Sequence, residues 1–310
     1  MDNPTMTAQV AYGDGFFAAL DQSGGSTPGA LRLYGIPEDA YNSEAEMFAL
    51  MHEMRVRIMR SPAFTGARVL GAILFEQTMD GRVNGAPVPA FLRERGIAAF
   101  LKVDKGLEAE ADGVSLMKPM PDLDVLLVRA AALGVYGTKM RSTVNLPSPS
   151  GIGEIVRQQF QVAAQIADRG LLPIIEPEVL IKSPGKAEAE AILRTEILKR
   201  LETVPDGQQI MLKLTIPTEP DIYRDLTRHG KVARVLALSG GYPRPEACRR
   251  LSVNHGMIAS FSRALMEGLQ HSMSDDEFDA ALGRSIEEIY QASADNAQPE
   301  PTRSHAPSPA

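Results

Sequence analysis

Eight short apolar segments, most of them separated by helix-length amphipathic stretches, predict a single (β/α)8 barrel of the TIM-barrel class for this 310-residue chain. A second observation supports that class. Polar residues of chemically useful types fall at or just beyond the C-terminal end of nearly every segment, where the loops of such a barrel converge. In a doubly wound open sheet, the main rival, they would gather only at the switch point. No repeat of solenoid period and no interdomain linker interrupts the pattern.

Residues 1–14 are polar, and the sequence predicts a frayed start there. Phe16–Asp21 is the first apolar run, closed by a carboxylate and followed by Gln-Ser-Gly-Gly-Ser-Thr-Pro, so a strand, a loop and a helix beginning near Pro28 are expected. Glu44–Arg60 carries Met47, Met51, Met54 and Ile58 at helical spacing, an insertion after the first strand. The next strands are Val69–Phe75, Ala98–Val103, Val135–Met140 and Leu172–Ile175. The sixth lies within Gln209–Glu219, and Val232–Leu238 and Met257–Phe261 complete the set. Helices are expected near 123–133, 155–169, 187–202, 245–251 and 276–292. The barrel domain is accordingly assigned to residues 1–294, and the Pro/Ser/Ala-rich 295–310 to a disordered tail.

An apolar fraction of 44% with 23% charged residues is that of a globular protein. A net charge of −7 argues against a nucleic-acid surface but leaves room for a local phosphate site. No apolar window is long enough to span a membrane and residues 1–15 contain no signal-peptide core, so a cytoplasmic protein is expected. The single cysteine, Cys248, is expected to be a free thiol. The five histidines are scattered, with no i,i+4 pair and no cysteine partner, so no histidine-rich catalytic metal site is expected.

The sixth strand draws attention because Lys213 stands in an otherwise apolar run, Ile-Met-Leu-Lys-Leu. Burying an ammonium is costly, so such a lysine either finds a carboxylate, snorkels from the strand end, or serves as an amine nucleophile. In a barrel, Asp21, Glu76, Lys102, Lys139, Arg141, Glu176, Lys213, Ser239 and Arg263 would share one mouth with it. Lys139 would act on Lys213 as a neighbouring cation. Glu176, at the end of an apolar strand, is a candidate for a raised pKa and acid/base work, or merely an ion-pair partner. Asp21 is a second acid/base candidate, or simply a cap for its loop. Ser239-Gly240-Gly241 and Ser260-Phe261-Ser262-Arg263 follow strands seven and eight, the usual phosphate site of the architecture. Ser23-Gly24-Gly25-Ser26 is a second such loop on the same rim, which suggests a substrate with two phosphates.

Seven motifs in this order resemble the bacterial class I, Schiff-base fructose-1,6-bisphosphate aldolases over about residues 10–292. They are Ala-Leu-Asp-Gln-Ser-Gly-Gly-Ser (19–26), Leu-Lys-Val-Asp-Lys-Gly (101–106), Gly-Thr-Lys-Met-Arg (137–141), Ile-Ile-Glu-Pro-Glu (174–178), Met-Leu-Lys-Leu (211–214), Leu-Ser-Gly-Gly (238–241) and Ser-Phe-Ser-Arg-Ala-Leu (260–265). The resemblance implies an aldehyde-lyase of glycolysis and gluconeogenesis that cleaves fructose 1,6-bisphosphate reversibly through a covalent Schiff base, with no metal or other cofactor. Lys213 would be its Schiff-base lysine, Glu176 the acid/base of carbinolamine steps, and Asp21 the proton acceptor at the C4 hydroxyl. Lys139 would support charge at the Schiff base, with Arg141 a nearby cation and Glu178 a second carboxylate. Ser239, Gly240 and Arg263 match the C1-phosphate site, and Ser23, Ser26 and Lys102 the C6-phosphate end. Members are often oligomers, though no stretch here declares an interface. Two departures from the animal enzymes stand out: Ser262 replaces a glycine, and the last tyrosine is Tyr290 rather than a terminal one. A Schiff-base aldolase for another ketose bisphosphate is the alternative reading.

Overall fold

The structure, a computed structural model, describes residues 4–23, 25 and 27–294. The expected tail, 295–310, lies outside the described residues. Eight strands form the central sheet: β1 (Phe16–Leu20), β2 (Val69–Leu74), β3 (Ala98–Lys102), β4 (Gly137–Val144), β5 (Leu172–Val179), β6 (Ile210–Thr215), β7 (Val232–Leu238) and β8 (Met257–Phe261). Each pairs in parallel with the next in chain order, and β8 pairs with β1, so the sheet closes on itself. With helices between strands this is the expected (β/α)8 barrel. Strands β4 and β5 run about four residues past the ends expected from apolar content. Their ladder continues through Arg141↔Glu176 and Thr143↔Glu178 because charged side chains there alternate into the barrel mouth.

Alternation also sorts the apolar residues. Phe17, Phe100, Ile174, Met211, Leu236 and Ile258 fill the inside of the barrel. Their neighbours Ala18, Leu101, Ile175, Leu212, Ala237 and Ala259 face outward into the larger layer beneath the helices. The rings of Phe17 and Phe100 meet edge to face at 5.3 Å. Two glycines on neighbouring strands make room for them. A Cβ on Gly71 would lie 2.3 Å from the Phe17 ring, and one on Gly137 would lie 2.4 Å from Phe100 and 2.2 Å from the Leu172 carbonyl oxygen. Gly137→Ala is expected to destabilise the fold by about 1–3 kcal/mol through overpacking. A urea midpoint equal to that of the parent would show that β4 yields instead.

The start of the chain differs from expectation. Residues Pro4–Tyr12 form a helix, α1, across the bottom of the barrel, with Met6 and Val10 packed into the interior core. Arg234, inward near the start of β7, donates to the carbonyls of Ala11 at 2.5 Å and Gly13 at 2.9 Å. The apolar i,i+4 pair is too short a signal to overcome polar neighbours in the sequence; the barrel end it covers supplies the missing stabilisation. After β1, helices α2 (Thr27–Leu33) and α3 (Glu44–Arg60) form the expected insertion. Ser43 caps α3, accepting from Glu46 N at 3.2 Å. The helices Leu123–Ala132, Pro149–Ala167, Lys186–Leu201, Arg244–Leu251 and Asp275–Ala294 cover the outside, as their apolar spacing predicted. A short helix, Val88–Glu94, fills the connection between β2 and β3 that sequence periodicity left unassigned. Cys248 is free and buried on the inner side of its helix, where burial pushes the thiol up to about 12. No described helix is long and apolar enough to cross a membrane.

Candidate active site

The parity that sends Met211 into the barrel sends Lys213 to the same side two residues later, at the C-terminal mouth. The same rule delivers Lys102 from β3, Lys139 and Arg141 from β4, and Glu176 and Glu178 from β5. Asp21 follows β1, and Ser239-Gly240 follow β7. With Ser23 and Arg263 these residues line one cleft of about 660 Å³. Ser26 lies outside the described residues. Glu76, expected at the mouth, does not line the cleft; it sits between Lys105 at 2.6 Å and Arg129 in a half-exposed ion-pair cluster. Its position one residue past the apolar run could not show that the chain turns into a helix there.

Four charged side chains form a row across the floor. Asp21 Oδ2 accepts from Lys139 Nζ at 2.9 Å, Lys139 Nζ also contacts Glu176 Oε2, and Glu176 Oε1 is 3.0 Å from Lys213 Nζ. All four are less than 10% exposed. Burial alone would raise both carboxyl groups, but the surrounding cations outweigh it. Lys139 and Lys213 hold Asp21 and Glu176 below the usual carboxylate range. Burial likewise opposes the charge on Lys139, yet Asp21 and Glu176 hold this ammonium well above its ordinary range. Two expectations are thereby corrected. Glu176 is depressed rather than raised, because it is clamped between two lysines. Lys139 bridges two carboxylates and so does not act on Lys213 as an uncompensated cation.

Around the row, Arg141 Nε donates to Glu178 at 2.5 Å, and Lys102 Nζ donates to Asp104 Oδ1 at 2.6 Å and to its carbonyl at 2.8 Å. Asp104 is buried and was missed in the sequence, where it reads as part of a loop. The phosphate-type loop depends on Gly240, whose φ of +61° and whose contact with Ile181, 2.4 Å from any added Cβ, exclude other residues. The guanidinium of Arg263 lies against Gly241 at the cleft wall.

Two further residues, Arg55 and Gln22, escaped the sequence reading. Arg55, on the buried face of α3, donates to Gln22 O at 2.5 Å and Thr78 Oγ1 at 2.8 Å, directly behind Asp21. Burial lowers this guanidinium to about 10. Gln22 and Ser262 line the cleft and are joined by a hydrogen bond of 2.5 Å. One signal was available: Arg55 falls four residues after Met51 and four before Met59, a charge on an otherwise apolar helix stripe.

Among the described residues no group of three or more His, Cys, Asp or Glu is placed to hold a metal ion. The arrangement instead joins a lysine amine to an acid/base carboxylate, with a cationic rim suited to phosphate. Comparison with known proteins points the same way. The sequence profile of the glycolytic family Fructose-bisphosphate aldolase class-I matches residues 5–217. A fructose-bisphosphate aldolase class 1 from Synechocystis is 56% identical over 280 residues, covering 90% of this chain and 93% of that protein. Among solved structures, the fold is similar to that of the fructose-bisphosphate aldolase of Plasmodium falciparum, solved in complex with TRAP and a small-molecule inhibitor. The TM-score is 0.75 at 20% identity, over 96% of this chain and 95% of that one. A Corynebacterium glutamicum protein shares the fold more distantly, at TM-score 0.55 and 14% identity over 93% of each chain. On its sequence, the chain belongs to the class I fructose-bisphosphate aldolases.

Proposed function

We propose that this aldolase cleaves fructose 1,6-bisphosphate to dihydroxyacetone phosphate and glyceraldehyde 3-phosphate, reversibly, through a Schiff base on Lys213, without a metal or other cofactor. The observation that carries the reading is the 3.0 Å contact between Lys213 Nζ and Glu176 Oε1. Glu176 is ionised at rest, so it acts first as a base: it takes a proton from Lys213, and the freed amine adds to the C2 carbonyl. The protonated Glu176 then returns that proton to the carbinolamine hydroxyl, which leaves as water and gives the iminium. The iminium withdraws the C3–C4 electron pair, and Asp21, ionised beside Lys139, accepts the C4 hydroxyl proton as the bond breaks. The resulting enamine takes a proton at C3, and hydrolysis releases the triose and restores Lys213.

Ser239, Gly240 and Arg263 would bind the C1 phosphate. Ser23 and Lys102, with Ser26 of the same loop, would hold the C6-phosphate end. Arg141 and Glu178 would stiffen the wall between them. Borohydride trapping tests the mechanism: substrate and sodium borohydride should leave one stable adduct, mapped by peptide mass spectrometry to Lys213. An adduct on another lysine, or none, removes the basis of the assignment. Cleaving sedoheptulose or tagatose bisphosphate at comparable kcat/KM would favour the broader ketose-bisphosphate reading.

A further inference from the structure

The hydrogen bonds of Gln22 run in one direction, and that direction ends in the cleft. The Arg55 guanidinium, buried behind β1, can only donate. It therefore faces the carbonyl end of the Gln22 side chain, with Nη2 3.4 Å from Oε1. The other end, Nε2, then faces β8 and donates to Ser262 Oγ at 2.5 Å, with Met266 Sδ beyond it at 3.6 Å. A serine hydroxyl has one hydrogen to give. Because Ser262 accepts from Gln22, its own hydrogen points elsewhere, and no protein acceptor for it is found among the described residues. Ser262 lines the cleft beside Arg263, Ser239 and Gly240.

We propose that Ser262 is a substrate ligand that donates its hydroxyl hydrogen to the C1-phosphate, and that Gln22 and Arg55 are the positioning residues that aim it. The inference rests on the reading that Ser239, Gly240 and Arg263 hold that phosphate. Arg55 fixes the amide, the amide fixes the hydroxyl, and the hydroxyl reads the anion.

The test is steady-state kinetics with fructose 1,6-bisphosphate and fructose 1-phosphate, which share the C1 phosphate, with substrate-free melting curves to confirm folding. Ser262→Ala should raise KM about tenfold on both substrates, the loss expected for a hydrogen bond to a charged group, with a smaller change in kcat. Gln22→Met should raise KM on both as well. The double variant should be no worse than Ser262→Ala, because without the hydroxyl Gln22 has nothing left to aim. Independent, multiplying effects would show that Gln22 does not act through Ser262 and would overturn the inference. So would a loss confined to the bisphosphate, which would place the hydroxyl at the other phosphate. Arg263→Ala separates the two levels of the argument. If it raises KM and Ser262→Ala does not, the inference fails and the phosphate reading stands. If neither changes KM, the phosphate reading itself fails.

Discussion

Replacing Lys213 by methionine is expected to reduce cleavage by a factor on the order of 10⁴ or more if it carries the proposed Schiff base, since the other described amines of the cleft, Lys102 and Lys139, are both held by carboxylates. The nearest candidate, Lys139, is held between Asp21 and Glu176 with its charge reinforced. Methionine has a similar length and suits the strand's apolar surroundings, and Glu176 keeps its contact with Lys139. The melting temperature should therefore move by less than about 4 °C. Fructose 1,6-bisphosphate should still raise that temperature, because the proposed phosphate ligands are untouched. Cleavage near the parent rate would refute the role of Lys213. Loss of activity together with loss of fold would leave the trapped adduct as the decisive measurement.

Lys139→Met is expected to be the most damaging change to stability, about 3–5 kcal/mol, because it strands buried Asp21 and leaves buried Glu176 with Lys213 as its one remaining lysine partner. The pH dependence identifies the cause. In the parent, Asp21 and Glu176 are depressed, so their contribution is present above the unfolded carboxylate range, about pH 4, and is lost as pH falls through their lower folded values. Lys139 is raised, so its contribution is complete below about pH 10 and is lost only as pH rises through its folded value. Between these limits the row should give the parent a flat profile. In the variant the carboxyl groups lose their main cation and burial raises them, so protonation now favours the folded state. The stability gap between parent and variant should narrow from pH 7.5 to pH 5.5 in urea titrations. A gap independent of pH would mean that packing, not charge, explains the loss. Turnover should fall by at least about 100-fold as well, since Asp21 and Glu176 lose the group that orients and ionises them.

Lys213, Glu176, Lys139, Arg141 and Asp21 were legible because each interrupts or ends an apolar run, where a charge has few structural reasons to be. Period-two alternation then places them on one side of their strands, and a closed barrel has only one inside. Arg55 was hidden by the reverse circumstance: it lies in a long helix rich in charges, where only its place on the stripe with Met51 and Met59 separates it in sequence from Arg57 and Arg60. Asp104 and Gln22 were hidden in loops, where polar residues are expected and carry no signal.

By itself, the amino-acid sequence determined the barrel class, the insertion after β1, and the residues available at the mouth. These follow from local pattern: short apolar runs, helical periods and glycine-rich turns are properties of neighbouring residues. Only the tertiary structure decided the partners. It placed Lys139 between two carboxylates, held Glu176 low rather than high, withdrew Glu76 to the rim, and closed the barrel floor with α1. Charge state depends on every ionised group within a few ångströms, and in this barrel those groups come from strands as distant in the chain as β1 and β6, whose Asp21 and Lys213 act on each other.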